Sequence, residues 1–150
     1  MLFSDDLIPE FKEWARVNPD DVKWKFFLNY KTDLQTALNV ARLFTPDIIE
    51  KDGCYFLRDT YSEETYKGWK KEFGDDKSKI EYMMNYCDVS DFFCPNTEDD
   101  GNYDAEVQAL AHTLDYFWTN WFRDQYPEAH LKVDLFDDYG ELSITVYAER

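Results

Sequence analysis

The 150-residue sequence has few basic residues, few glycines and no long apolar run. Its 16 Lys and Arg face 32 Asp and Glu, which gives a formal net charge of -16 at pH 7. Nucleic acids and anionic membrane surfaces are bound through clustered Lys and Arg, so we expect direct binding to neither. No apolar stretch approaches the length of a membrane span. Five glycines leave no glycine-rich loop of the kind that binds phosphate.

The cysteines are also few. Cys54, Cys87 and Cys94 form an odd set, which is typical of reduced thiols rather than of a disulfide framework. The first residues, Met1 to Asp6, show neither the basic region nor the apolar region of a targeting signal. We therefore expect a cytoplasmic protein.

Aromatic residues, in contrast, are abundant, at 19% of the chain. Acidic disordered proteins lack such residues, so the sequence predicts a folded core. The length suits one domain. We expect residues 1–150 to form a single α+β domain, with helices packed on one face of a mostly antiparallel sheet and a β-hairpin at the C-terminal end.

Helical spacing of apolar residues predicts five helices. The first has Ser4 or Asp6 as its cap and Pro9 in its first turn, and the second has the capping-box residues Thr32 and Gln35. The third begins after Ser62 and ends at Gly74, and the fourth begins after Asp75 or Asp76 and includes Cys87. The last, from Tyr103 to Phe122, has the most regular apolar spacing. We expect the second helix to bury Leu34, Ala37, Leu38, Ala41 and Phe44.

Alternating apolar residues predict the strands. Val22, Trp24 and Phe26 alternate with lysines, which favours a strand, although a helix fits the same stretch. Asp52-Gly53 is a strong turn signal between two short strands. Near the C-terminal end, the segments 130–135 and 142–147 alternate on either side of the turn 137–140 and predict a hairpin.

The negative charge is unevenly distributed. Between Asp88 and Glu141 there are 14 acidic residues but only two basic ones, Arg123 and Lys132. Mutual repulsion among so many acids disfavours the compact state. A surface that only needed to be soluble would intersperse basic residues. Acids at helix starts and in turns also stabilise these elements, so a purely structural role stays open.

This pattern indicates an anionic surface that attracts a basic protein. We expect seven residues to form it: Asp99, Asp100, Asp104, Asp134, Asp137, Asp138 and Glu141. Aromatic residues are interleaved with them and can anchor an interface. These candidates are Phe92, Phe93, Tyr103, Tyr116, Phe136 and Tyr139.

Motifs for catalysis and metal binding are weak. Asn96, Glu98 and Asp100 before Gly101 resemble the start of a calcium loop, but Val107 stands where the bidentate Glu belongs. Neither a nucleophile elbow nor a zinc-protease motif occurs. His112 and His130 are isolated, so no Cys and His set has the spacing of a zinc site. We expect no catalytic residues, no metal and no cofactor.

Three stretches carry a resemblance to known proteins. They are 43–47 (LFTPD), 52–57 (DGCYFL) and 85–92 (NYCDVSDF). They are similar to a group of small uncharacterised acidic bacterial proteins, and the size and character of the chain resemble immunity proteins of bacterial toxin systems. That resemblance implies a cytoplasmic protein that binds and blocks a cognate toxin.

Our leading hypothesis is therefore a non-catalytic protein that neutralises a basic partner, such as a nuclease toxin. A DNA mimic would instead align its carboxylates in one continuous row. A carboxylate-dependent enzyme would gather them in a concave pocket, and a structural or regulatory subunit would expose an apolar patch.

Overall fold

The computed structural model describes residues 2–20 and 23–150. Within these ranges the chain forms six α-helices and five β-strands. The helices are α1 (Pro9–Val17), α2 (Lys23–Lys31), α3 (Leu34–Phe44), α4 (Glu63–Phe73), α5 (Lys77–Met84) and α6 (Tyr103–Gln125). The strands are β1 (Ile48–Lys51), β2 (Cys54–Leu57), β3 (Cys87–Asp88), β4 (Leu131–Asp138) and β5 (Glu141–Ala148).

The first two helices pack against each other through aromatic rings. Ser4 caps a short 3-10 turn, Asp5–Leu7, and α1 begins at Pro9, whose missing N–H is not needed at a helix start. Phe11 of α1 contacts Trp24 and Phe27 of α2, with ring centroids 5.0 and 5.3 Å apart. Phe27 is the one residue of α2 that is buried.

The predicted strand around Trp24 is wrong, and its alternative reading as a helix is right. Val22 lies outside the described residues, but Trp24 and Phe26 belong to α2 and are both about half exposed. Their alternation with lysines does not reflect a buried sheet face. Phe27 falls outside the alternation. Because it lies about one helical turn after Trp24, the two rings share the helix face that contacts Phe11 of α1.

Two short strands form the first sheet. β1 and β2 pair antiparallel, with Lys51 opposite Cys54. Asp52 and Gly53 connect them with positive φ at both positions, as a two-residue hairpin turn requires. This hairpin was predicted correctly. Its inner face packs on α4 and α5 in a cluster of five buried residues: Cys54, Phe56, Tyr66, Ile80 and Met84.

The second sheet has the order β3-β5-β4, and all its pairs are antiparallel. Ile144 and Val146 of the central strand are fully buried under α6. Ala111, Leu114, Trp118 and Phe122 of α6 cover them at the helical spacing expected for one face. The predicted hairpin and long helix therefore form the main core.

Helix α5 lies on the other side of the β4–β5 hairpin. Tyr82 stacks on Phe136, with ring centroids 5.7 Å apart, and its carbonyl accepts a hydrogen bond from the Thr145 hydroxyl at 2.8 Å. The helix ends at Met84, so Cys87 is in β3 and not in the helix as predicted. Because β3 is only two residues long, its pattern is too short to be recognised in a sequence.

Two buried side chains, Glu81 of α5 and Asn85 directly after the helix, join the two sheets. Glu81 accepts backbone N–H groups from Tyr55 of β2 and Ala148 of β5, each at 2.8 Å. One turn later, Asn85 accepts from Leu57 and donates to the carbonyls of Tyr55 and Val146. Strands β2 and β5 are thus joined through the side chains of Glu81 and Asn85, and they belong to separate sheets.

The expected α+β domain with a C-terminal hairpin is confirmed. One predicted cap is wrong, because Asp33 rather than Thr32 caps α3 and accepts the Gln35 and Thr36 N–H groups at 2.8 and 2.9 Å. Of the expected α3 core face, only Phe44 packs on the core, and Leu34 and Leu38 are exposed. In the described part of the chain, no helix combines the length and the apolar character needed to cross a membrane.

Candidate protein-binding surface

The tip of the β4–β5 hairpin places three acidic residues close together. Asp138 and Glu141 are the last cross-strand pair, and Tyr139 and Gly140 form the turn with positive φ at both positions. The Asp137 carboxylate accepts the Gly140 N–H at 2.8 Å. This bond fixes the turn, as acids in turns commonly do.

Asp137 and Glu141 line a cavity of about 420 Å³ together with Asp104 from the first turn of α6. Its wall also contains polar groups of Ser90, Tyr103, Gln108 and His112. The Ser90 hydroxyl donates to Glu141 at 3.1 Å. Three of the seven predicted residues therefore converge, and the residues lining the cavity include neither Lys nor Arg. We call this the acidic cavity.

A second, mostly apolar cavity of about 280 Å³ shares a wall with the acidic cavity. Tyr103 and Val107 line both. Its other lining residues include Phe92, Glu106 and Phe93, and the Phe93 ring is half exposed. A partner that presents a basic side chain beside an apolar one fits this pair of cavities.

Asp99 and Asp100 lie in the loop before α6. Their carboxylates accept the Gly101 and Asn102 N–H groups at 2.9 and 3.0 Å, so each stabilises a turn. Burial raises the pKa of the nearby Glu106 carboxyl above its ordinary value, and the charges of Asp100 and Asp99 raise the same pKa further. The loop therefore adds negative potential beside the apolar cavity.

Asp134 and Asp138 point to the opposite side of the hairpin from Asp137. Asp138 accepts a hydrogen bond from the Tyr86 hydroxyl at 3.1 Å, and Asp88 accepts from the same hydroxyl at 2.7 Å. A hydrogen bond with Ser143 acts to lower the Tyr86 pKa, but Asp88, burial and Asp138 outweigh it and raise that pKa to about 12. The seven acids therefore do not share one face.

The acids between Asp88 and Glu141 have few basic neighbours. Arg123 pairs with the adjacent Asp124 at 3.0 Å, and Lys132 lies 4.0 Å from Asp134. Among the residues that the structure describes, the other twelve acids of this segment have no Lys or Arg within 4.0 Å. Their negative charges can therefore interact with solvent or with a binding partner.

Glu106→Gln tests the electrostatic state of this surface. The pKa of Glu106 is higher in the folded protein than in the unfolded chain. At pH values between these two pKa values, the folded protein therefore binds more protons than the unfolded chain does. Stability therefore falls as pH rises through that window. We expect Glu106→Gln to raise the free energy of unfolding at pH 7 and to have little effect below pH ~4, measured by urea titration. A neutral variant that is less stable at pH 7 would contradict the assignment.

Sequence reasoning identified the acids but missed two features of the site. His112 was treated as isolated, yet it lies in the wall of the acidic cavity. The apolar cavity beside it was not foreseen. Tyr103 and Val107 are one helical turn apart, at the i and i+4 positions, but no sequence signal says which cavities their helix face will border.

Within residues 2–20 and 23–150, no group of three or more His, Cys, Asp or Glu side chains is arranged to hold a metal ion. Comparisons with protein-family models, with curated proteins and with solved structures gave no match.

Proposed function

We propose that this protein binds a basic protein partner through the acidic cavity and the apolar cavity beside it, and so blocks that partner. The observation that carries the proposal is the convergence of Asp104, Asp137 and Glu141 around a cavity whose lining has no Lys or Arg. Carboxylates in a concave site focus the electrostatic field and speed the encounter with a cation.

The adjoining apolar cavity supports a protein as the partner. Charge complementarity mainly sets the rate and specificity of association, whereas buried aromatic and apolar contacts supply most of the affinity. Phe93 is half exposed at the apolar cavity and Tyr139 is exposed at the hairpin tip. A bacterial toxin with a basic surface, such as a nuclease, has the chemistry that this combination suits, and the protein would act as its immunity protein.

An affinity capture experiment tests this proposal. The bait variant combines Asp104→Asn, Asp137→Asn and Glu141→Gln. Its matched control combines Glu64→Gln, Glu72→Gln and Asp75→Asn, which removes the same charge from exposed acids on and after α4. We expect the wild type and the control to retain a basic protein at 50 mM salt and the cavity variant to lose it.

Two results would contradict the proposal. One is that the wild type retains no basic protein. The other is that both triple variants retain the same protein equally, because the overall charge and not the cavity would then explain the binding. Inhibition of the captured protein's own activity by equimolar wild-type chain is the further requirement for an immunity protein.

A carboxylate-dependent enzyme is the second candidate, and the same convergence of three acids favours it. His112 in the cavity wall would then be a candidate proton carrier. Asp104→Asn and His112→Ala would abolish such an activity, whereas the binding proposal expects Asp104→Asn to weaken capture of a basic protein, so the two candidates predict different outcomes. A DNA mimic is less suited to this arrangement, since Asp134 and Asp138 lie on the other side of the hairpin.

A further inference from the structure

Helix α3 has a second apolar face that nothing in the described structure covers. Leu34, Ala37, Leu38 and Ala41 follow i, i+3, i+4 and i+7 spacing and form one stripe. All four are exposed, and the two leucines keep 82% and 68% of their surface. The opposite face of the same helix makes the core contacts through Leu43, while Phe44 packs at the edge between the two faces.

The apolar surface continues from this stripe onto α6. Phe44 lies one turn beyond Ala41, and its ring is 5.3 Å from that of Phe117. Phe117 in turn contacts Tyr116 at 5.4 Å, and both side chains are about half exposed. Monomeric proteins rarely expose a contiguous apolar patch of this kind without a partner.

The charge around the stripe indicates what can approach it. Residues 33–45 contain one acid, Asp33, and one base, Arg42, so this strip is neutral in a chain of net charge -16. A basic partner of the kind proposed above gains no electrostatic advantage here. Two copies of this chain repel one another elsewhere, and the neutral strip is a place where they can meet at low electrostatic cost.

The order of residues along the stripe is self-complementary. Leucine and alanine alternate from Leu34 to Ala41, so an antiparallel second copy places each leucine opposite an alanine of its partner. Large side chains then pack into the gaps over small ones, which permits close approach of two helices. A two-fold axis near the middle of the stripe closes the assembly at two subunits.

We propose that this protein forms a symmetric dimer through antiparallel packing of α3 on α3 of a second copy, bordered by Phe117 and Tyr116. On α6, the residues that line the acidic cavity extend from Tyr103 to His112, and the dimer contact begins one turn later, at Tyr116. Since α3 is only 11 residues long, the contact is smaller than the roughly 800 Å² per partner of a typical stable interface. We therefore expect a weak dimer, with dissociation in the micromolar range.

Sedimentation equilibrium of the wild type, Leu38→Lys and Tyr139→Lys tests this proposal. Both substitutions change an exposed residue and both lower the net negative charge by one, which on electrostatic grounds alone favours association. We expect wild type and Tyr139→Lys to reach twice the 18.0 kDa of one chain at high micromolar concentration. Leu38→Lys should weaken the dimer at least tenfold, with an unchanged circular dichroism spectrum.

Raising the salt concentration should strengthen the wild-type dimer because it screens the repulsion between two acidic copies. A wild type that stays monomeric at several hundred micromolar would overturn the proposal. So would equal association of the two lysine variants, or growth beyond two subunits. The triple variant of the acidic cavity serves as a further control and should dimerise at least as strongly as the wild type, because it carries three fewer negative charges.

Discussion

Glu81→Ala should lower the free energy of unfolding by about 3–5 kcal/mol. The Glu81 side chain is fully buried and accepts four hydrogen bonds: from the Tyr55 and Ala148 backbones and from both terminal nitrogens of Arg150, at 2.6 and 3.0 Å. Removing the carboxylate leaves the two backbone N–H groups without an acceptor at the junction of the two sheets, whereas Arg150 keeps its bonds to Ser78 and Gly53. A buried group that loses its partner costs its full desolvation energy.

Three further variants separate the causes. Glu81→Gln keeps the volume but loses the charge and one acceptor, so its destabilisation should be intermediate. Arg150→Ala leaves the fully buried Glu81 carboxylate with its two backbone donors but without its cation, so it should cost about as much as Glu81→Ala. Glu13→Ala breaks an exposed pair with Arg16 and should cause no measurable change. Urea unfolding curves measure all four, and a loss below about 1 kcal/mol for Glu81→Ala would contradict the bridging role.

Trp118→Ala is expected to cost a further large amount, about 3–5 kcal/mol. The indole is almost completely buried on the core-facing side of α6 and packs on Phe122, with ring centroids 6.0 Å apart. Its N–H donates to the Leu43 carbonyl at 2.8 Å, and Trp121 donates in the same way to the Pro46 carbonyl at 3.0 Å. The substitution therefore opens a cavity and leaves the Leu43 carbonyl, in the last turn of α3, without its donor, while the Trp121 bond to Pro46 remains.

Trp118→Phe distinguishes these two contributions. It refills most of the cavity but leaves the Leu43 carbonyl without its donor, so the loss should be roughly 1–3 kcal/mol. Phe117→Ala, at the neighbouring but half-exposed position, should cost less than Trp118→Ala. Thermal and urea unfolding of the three proteins checks the order, and equal losses for Trp118→Ala and Phe117→Ala would refute it.

The C-terminal hairpin and α6 could be predicted because their signals are local. In the hairpin, apolar alternation flanks a turn, and in α6 an apolar stripe runs on through Trp118 and Trp121. The Asp52-Gly53 hairpin was equally clear, since its turn needs positive φ at both positions. The conformation of these elements is determined by residues that lie close together in the sequence.

The misread elements depend on packing that a local sequence pattern does not reveal. The α2 segment was read as a strand because Trp24 and Phe26 alternate with lysines, but packing of Phe27 on α1 decides its form. Leu34 and Leu38 have the spacing of a core face and are exposed. Glu81 and Asn85 gave no signal, because buried polar residues that bridge two sheets look like surface residues in a sequence.

The candidate site was only partly foreseeable. Composition located the acidic surplus between Asp88 and Glu141, but not which acids meet. Asp104 and Asp137 are 33 positions apart in the sequence and line one cavity, whereas the neighbours Asp137 and Asp138 point to opposite sides of the hairpin. Alternation of side chains along a strand predicts that Asp137 and Asp138 point to opposite sides. That Asp104 and Asp137 line one cavity depends on how α6 packs against the hairpin, which only the folded structure shows.

Calorimetric titration of the captured basic partner with three forms of this protein tests the central claim most directly. The forms are the wild type, the cavity variant at Asp104, Asp137 and Glu141, and the matched control at Glu64, Glu72 and Asp75. We expect the cavity variant to bind about 10- to 100-fold more weakly, equivalent to about 1.4–2.7 kcal/mol, and the control to stay within about twofold of the wild type. Equal weakening of both variants, or none in either, would contradict binding at the acidic cavity.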